Sequence, residues 1–414
     1  ELDPGTITAA EYPAATSCGP PVAIVRTTCM ATVCLGKMVV SDPGLAREAN
    51  APGGPGAFPN VVLSGSSRTG EPYMNWMIDP LSGSIGAYSW RDGVSTGGQL
   101  WNPLGTIPNV EHEEQMHPYI YLFRKELPDS GGAGEFRGGN GGVAALKMHK
   151  TAASQLSTTI NGRAAPATAG MFGGYAGSTN ALSLFRESGI DAVFAAGQVP
   201  AWPIELGARE IPPNKGNDID LDEDCLLEYS WAGGGGYGDP LKRDPDRVAA
   251  DLAEGSISRG AASEYFGVVL AADGTVDESS TARLRAELIA ARRAEAAGPA
   301  AERVHDADAL ERGRRVHATI RAVSVAGEWR FAGPSGADLG PLERNYKDRC
   351  LKRERDVTVV SPLIGDPHLV VDDSFVLREY FDPVDISLLE TEIARPEDPI
   401  LWDLRPRLEP GSSN

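Results

Sequence analysis

The sequence predicts an α+β protein in three parts: a strand-rich, glycine-rich region over residues 1–240, a helical segment over 241–322 and a small β-rich C-terminal domain over 323–414. Three observations predict it. Up to residue 240, short apolar runs are punctuated by Gly, Pro, Asn and Ser, the pattern of strands joined by tight turns. After residue 240 the chain becomes Ala/Arg/Glu/Leu-rich, with helix start and stop signals. From about residue 324 strand-like runs and prolines return. Glycine (48) and proline (31) are abundant but dispersed among apolar runs, so they mark turns and not disorder.

Residues 20–40, "PPVAIVRTTCMATVCLGKMVV", are apolar on nearly every side and predict one buried helix. Cys29 and Cys34 are five apart and share no face well, so they predict packed thiols and not a metal pair. Residues 41–110 ("NVVLSG", "EPYMNWMI", "GSIGAYSW") predict a strand-rich layer. "HPYIYLFRKEL" (117–127) is the clearest strand. Tyr119, Tyr121 and Phe123 alternate with Ile120 and Leu122, so both faces are covered. "GGVAALKMH" (141–149) is its return strand. In "DPDRVAADLAEG", Asp244 is a helix N-cap, Pro245 the first helical residue and Gly255 the stop. "SRGAASEYFG" is a second short helix, and "VVLAADGTV" a hairpin around Asp273-Gly274. From Ser279 to about Ile320 the pattern is helical, with Leu284, Leu288 and Ile289 as an apolar stripe.

The 414 residues suffice for two or three domains with a sizeable core. The net charge of −19 disfavours non-specific nucleic-acid binding, which needs a basic footprint. No run of 18 apolar residues exists, so no membrane span is expected. Five cysteines (Cys18, Cys29, Cys34, Cys225, Cys350), with no CxxC, predict reduced thiols and a cytoplasmic protein. The first residues, "ELDPGTITAAEYP", carry neither a basic nor an apolar region of a signal peptide and read like the middle of a chain.

Three constellations could carry chemistry. "NVEHEEQMHPY" (109–119) groups Glu111, His112, Glu113, Glu114 and His117. Carboxylates beside imidazoles bind a divalent cation or move protons; the plain reading is a polar loop bonding its own turn. Glu113, His112 and His117 are the candidate catalytic residues. "WAGGGGYGDP" (231–240) sets Gly233, Gly234, Gly235, Gly236 and Asp239 before a helix, where backbone N–H groups can hold an anion. It lacks the GK[ST] of a phosphate loop, so a structural turn against another subunit is the alternative. "DSGGAGEFRGGNGG" (129–142) places Asp129, Glu135 and Arg137 among glycines, either as a binding loop or as tight turns. "DIDLDED" (218–224) lacks the Gly and the closing Glu of a calcium loop and reads as a solvated acidic edge. No metal ligands are assigned.

Four stretches together, "YPAATS", "SDPGLAREANAPGGPGAFPNVVLSG", "PNVEHEEQMHPYIYLFRKELPDSGGAGEFRGGNGG" and "WAGGGGYGDPLKRDPDRVAADLAEGSISRGAASEYFGVVL", resemble the C-terminal half of the hydantoinase B family, over residues 1–270. That family includes components of ATP-dependent N-methylhydantoinases and 5-oxoprolinase, and large subunits of acetone and acetophenone carboxylases. The C-terminal stretch from "NYKDRCLKRERDVTVVSPLIGDPHLVVDDSF" to "DPILWDLRP" is similar to the gamma subunit of acetone carboxylases. That subunit carries CPxCG where Asp382, Pro383, Val384 and Asp385 stand here, so no structural zinc is expected.

The pairing implies the ketone carboxylase branch: a non-ATPase subunit, inactive alone, of a complex that joins a ketone and bicarbonate into a 3-oxo acid. The chemistry implied is phosphorylation of the enolate and of bicarbonate, then C–C bond formation. The alternatives are a subunit of an ATP-dependent cyclic-amide hydrolase (N-methylhydantoinase, oxoprolinase or lactamase type) and a purely structural scaffold. The resemblance implies no cofactor on this chain. ATP, Mg and a divalent metal, Mn or Zn, are expected in partner chains or in the family's N-terminal half. The expected partners are a hydantoinase-A-like ATP-binding subunit and a chain supplying that half. The resemblance makes 129–142 a rigid turn between strands, tied by an ion pair from Arg137 to Asp129 or Glu135, or else a contact with the substrate channel.

Overall fold

Alternation of apolar and polar residues along the first strands dictates a two-layer arrangement. The computed structural model describes residues 4–5, 9–14, 19–57, 59–99, 102–103 and 107–406, and Cys18 lies outside them. One antiparallel sheet has the order Lys215–Leu221, Thr151–Ile160, Pro59–Ser67, Pro72–Trp76; the other has the order Tyr119–Glu126, Gly142–Met148, Leu226–Trp231, Ala181–Arg186, Ala208–Glu210. Their inward residues interdigitate as one core: Leu63 and Leu156 from the first meet Leu146, Leu184, Tyr229 and Trp231 from the second. Each large side chain buried in this way stabilises the sandwich by roughly 1.5–3 kcal/mol. The expected strand 117–127 is Tyr119–Glu126, with a bulge between Tyr121 and Phe123 that turns Leu122 and Phe123 toward a second small core. "DIDLDED" begins on the exposed edge strand of the first sheet.

The glycine-dense segments form no ordinary turns. Backbones from 51–56, 131–142, 170–177 and 232–238 lie against one another, bonded N–H to C=O. Gly132 donates to Gly234 (2.8 Å), Gly234 to Gly139 (2.9 Å), Gly236 to Tyr175 (2.9 Å) and Tyr175 to Ala133 (2.7 Å). Room, and not left-handed backbone, is what demands glycine here. A Cβ on Gly138 would sit 2.0 Å from the Gly234 carbonyl oxygen, and one on Gly235 1.9 Å from that of Ala169.

The helix expected over 20–40 is Gly19–Val39. It is not buried all round. Val25 and Cys29 face the protein, while Ile24, Met30, Leu35 and Met38 are 59–68% exposed. Its apolar residues encircle the axis, and this chain covers only one side. Cys29 is packed as expected, but Cys34 is exposed.

Asp244 caps the helix Pro245–Ala253 through Asp246 N, and Gly255 follows with φ +77°. The helix from Glu278 stops at Glu295, well short of Ile320, because Gly298-Pro299 cannot continue it. Only Ala307–Glu311 is helical beyond it before strands resume. The last part contains a four-stranded sheet (Arg314–Arg315, Arg321–Val325, Glu328–Ala332, Asp338–Pro341) and a three-stranded one (Leu351–Asp356, Val376–Phe381, Leu388–Ala394). Val248, Ala262 and Phe266 of the helical segment pack on Leu377, Phe381 and Leu388, with Tyr175 and Ala176 of the glycine layer. The three parts therefore share cores, and the α+β class is the one observed.

Candidate functional site

The polar stretch 109–117 is a short helix, Val110–Met116, and not a loop. Asn109 caps it by accepting from Glu111 N at 2.8 Å. The i, i+4 spacing puts Glu113 and His117 on one face. Glu113 Oε2 accepts from Asn75 Nδ2 (2.6 Å) and from the Tyr119 hydroxyl (2.8 Å), and lies 3.9 Å from His117 Nε2. The His117 ring stacks on Tyr119, centroids 5.6 Å apart. Both acid and imidazole side chains are only partly accessible, at 14% and 18%. Burial holds His117 below the usual imidazole value despite the nearby Glu113 carboxylate, so the ring is neutral near pH 7. Burial and the Glu113 carboxylate push the Tyr119 phenol up, which keeps it a donor. A carboxylate fixed by two donors beside a neutral imidazole can relay a proton. His112 makes no hydrogen bond with them among the described residues and is exposed.

The other predicted residues lie in contacts that join one segment to another. Arg137 pairs with neither Asp129 nor Glu135. Its Nη2 reaches Asp251 (3.2 Å), its Nη1 donates to Gly138 O (2.8 Å), and Asp251 is shared with Arg243 (2.6 Å). Arg243 also grips Asp92 (2.6 and 2.9 Å). The distant Asp251 wins because helix Pro245–Ala253 packs against the glycine segment. Asp129 accepts from Ser258 N at 2.8 Å.

The backbone N–H groups in the middle of the 231–240 loop are not free to hold an anion. The N–H groups of Gly234, Gly235 and Gly236 already donate to Gly139, Pro52 and Tyr175, and Gly233 is buried beside Ser130. Asp239 accepts both Nη groups of Arg292 (2.8 and 2.9 Å) and Leu388 N (2.9 Å). It joins the glycine layer, the helical segment and the last sheet.

Sequence order hid two further clusters. Asp79, 1% exposed, accepts from the Tyr229 and Tyr121 hydroxyls and from Arg124 Nη1 (3.0 Å). Lys37 of the first helix bonds Glu390 (2.5 Å) and Asp403, and buried His317 sits 3.8 Å from Glu390. Only the Asp-Pro at 79–80 left a local trace, as a helix-start signal; the other partners lie dozens to hundreds of residues apart.

Asp382, where the gamma-subunit pattern expects a cysteine, is fully buried. Its carboxylate accepts from Ser335 Oγ (2.6 Å) and Val384 N (2.9 Å), closing its own turn. Asp385 caps Ser387 N (2.9 Å). Among the described residues no three His, Cys, Asp or Glu side chains are grouped to hold a metal.

The architecture is a glycine-layered β-sandwich carrying helices and a second β unit. The chain belongs to the hydantoinase B/oxoprolinase family, which matches residues 1–240; the acetone carboxylase gamma subunit family matches residues 308–411. It is 31% identical over 222 residues to the acetone carboxylase alpha subunit of Xanthobacter autotrophicus, covering 49% of this chain and 28% of that one. It is 28% identical over 302 residues to the acetophenone carboxylase delta subunit of Aromatoleum aromaticum, covering 68% and 42%. It is 27% identical over 290 residues to the caprolactamase subunit beta of Pseudomonas jessenii, covering 68% and 45%. The chain thus spans less than half the length of these relatives. A nucleotide-free structure of acetone carboxylase superposes with a TM-score of 0.53 at 26% identity, over 62% of this chain and 35% of that one. Among the described residues no helix is long and apolar enough to cross a membrane.

Proposed function

We propose that this chain is a non-ATPase subunit of an ATP-dependent ketone carboxylase complex that joins a ketone and bicarbonate into a 3-oxo acid. The observation that carries this reading is the pairing, in one polypeptide, of a hydantoinase B match with an acetone carboxylase gamma subunit match. The two regions are bolted together through Asp239, Arg292 and Leu388. The partners in this reading are a hydantoinase-A-like chain that binds ATP and Mg, and a chain with the remainder of the hydantoinase B fold and its divalent metal. The chain alone is inactive and works in the cytoplasm. Glu113 and His117 are its proton-relay residues, with Asn75 and Tyr119 positioning the carboxylate.

A second reading, cleavage of a cyclic amide with ATP, is favoured by the likeness to the caprolactamase subunit. The test is to purify the assembled complex and supply ATP with either ketone plus bicarbonate or a lactam or hydantoin. ATP-dependent 3-oxo acid formation supports the first reading. Ring opening without carboxylation overturns it in favour of the second. Ketone turnover that is unaffected by changes at Glu113 and His117 leaves this chain the role of a scaffold.

A further inference from the structure

Away from Glu113, a cavity of about 440 Å3 opens where the turn at 43–47, the glycine layer and the 315–319 loop meet. That volume lies in the range of small-molecule sites. Arg47, Lys242 and Arg315 all line the cavity, and none forms an ion pair among the described residues. Arg47 lies over the Trp90 ring, 4.5 Å from its centroid. Arg315 is held by backbone carbonyls alone, His317 O at 3.4 Å and Ala318 O at 3.1 Å. Two carboxylates face the same space. Asp239 is already neutralised by the two-pronged contact with Arg292. Glu135 has no ion pair of its own, and burial pushes its carboxyl up. Three cations thus stand against Glu135, which Lys242 partly offsets, in a chain whose net charge is −19. An excess of positive charge gathered around one hollow attracts anions.

The floor supplies a second observation. Tyr237 is 5% exposed and lines the cavity, yet its hydroxyl makes no hydrogen bond to the described residues. The hydroxyl is open to the cavity and free to donate to what occupies it. Beside it, Phe172 packs edge-on at 5.0 Å and forms an apolar wall.

We propose that this cavity binds a small organic anion, a carboxylate or phosphate ester, with its acid group among Arg47, Lys242 and Arg315, the Tyr237 hydroxyl donating to it, and its carbon body against Phe172 and Trp90. The inference rests on charge and geometry and not on the ketone carboxylase reading, so either can fail without the other.

Calorimetric titration of the purified chain, in its native complex, tests it with three probes: benzoate, inorganic phosphate and neutral benzamide. Saturable binding of benzoate or phosphate in the millimolar range or tighter, with none for benzamide, is expected; whichever anion binds more tightly identifies carboxylate or phosphate chemistry. Arg47→Gln and Lys242→Gln change exposed side chains and leave the fold intact, so the double variant should raise Kd at least tenfold. Tyr237→Phe should weaken binding about threefold with an unchanged melting curve. Absence of saturable anion binding, or the same Kd in the double variant as in the parent, overturns the proposal.

Discussion

Asp239 and Arg292 form a two-pronged ion pair, Nη1 to Oδ2 at 2.8 Å and Nη2 to Oδ1 at 2.9 Å, with side-chain exposures of 4% and 6%. The same carboxylate accepts the Leu388 N–H of the last sheet. One glycine-loop acid therefore fastens a helix and a strand more than fifty and about a hundred and fifty residues away. Breaking a buried pair strands the surviving charge, at a cost of about 3–5 kcal/mol. Asp239→Asn should lower the denaturation midpoint accordingly. Burial works to raise the Asp239 carboxyl, but Arg292 and two backbone donors outweigh it and hold it below the ordinary value. A carboxyl depressed in the fold contributes stability above its unfolded pKa, about 3.9, and loses it as pH falls through the lower folded value. The gap between parent and Asp239→Asn should thus be full at neutral pH and shrink below about pH 4, as measured by urea unfolding across pH.

Gly138→Ala and Gly235→Ala should each abolish soluble folding, since the added methyl meets a backbone carbonyl that cannot swing aside. Gly365→Ala, with open space around it, should stay within about 0.5 kcal/mol of the parent. Soluble yield and melting temperature of the three variants check this.

In the assembled complex, Glu113→Gln and His117→Asn should lower turnover about 100-fold, the range for loss of a general acid or base. His112→Asn should stay within a few-fold, because that ring stands apart. Assembly, followed by size-exclusion chromatography, should be unchanged in all three. Near-parental rates in the first two would place the chemistry outside this chain.

The chain purified free of partners and dialysed against chelator should hold well under one zinc per molecule by elemental analysis. Asp382 spends its oxygens on Ser335 and Val384. Asp382→Ala should destabilise the last part by about 1–3 kcal/mol through the donors it leaves unpaired.

Produced alone, the chain should aggregate and bind a hydrophobic dye, because Ile24, Met30, Leu35 and Met38 present an uncovered apolar helix face. Co-expression with its complex partners should suppress both. A monodisperse monomer with a cooperative melt and no dye binding would refute this.

Local chemistry is readable in order along the chain, and so the elements were. Asp244, Pro245 and Gly255 bracket a helix by capping rules that need no tertiary partner. The strand at 119–126 and its return at 142–148 follow from apolar runs. The family motifs are likewise contiguous, and the family match over 1–240 needs no folding to be seen. The helix expected to reach Ile320 failed on a Gly-Pro at 298–299 that was present to be read.

Folding alone decided which charges meet. Arg137 stands two residues from Glu135, yet it reaches Asp251, 114 positions away, because the helix carrying Asp251 packs on the glycine layer. The glycines at 233–236 allow an anion cradle in sequence, but the N–H groups of Gly234, Gly235 and Gly236 donate to neighbouring backbones. Nothing in sequence order joins Asp79 to Tyr121, or Lys37 and His317 to Glu390, since nothing along the chain encodes a distance across it. Periodicity and capping act over a few residues and are written in sequence order. Ion pairs, cavities and the spent or unspent state of a donor arise only when the sheets and helices close on one another, and in the glycine layer the close approach of backbones without side chains set those positions.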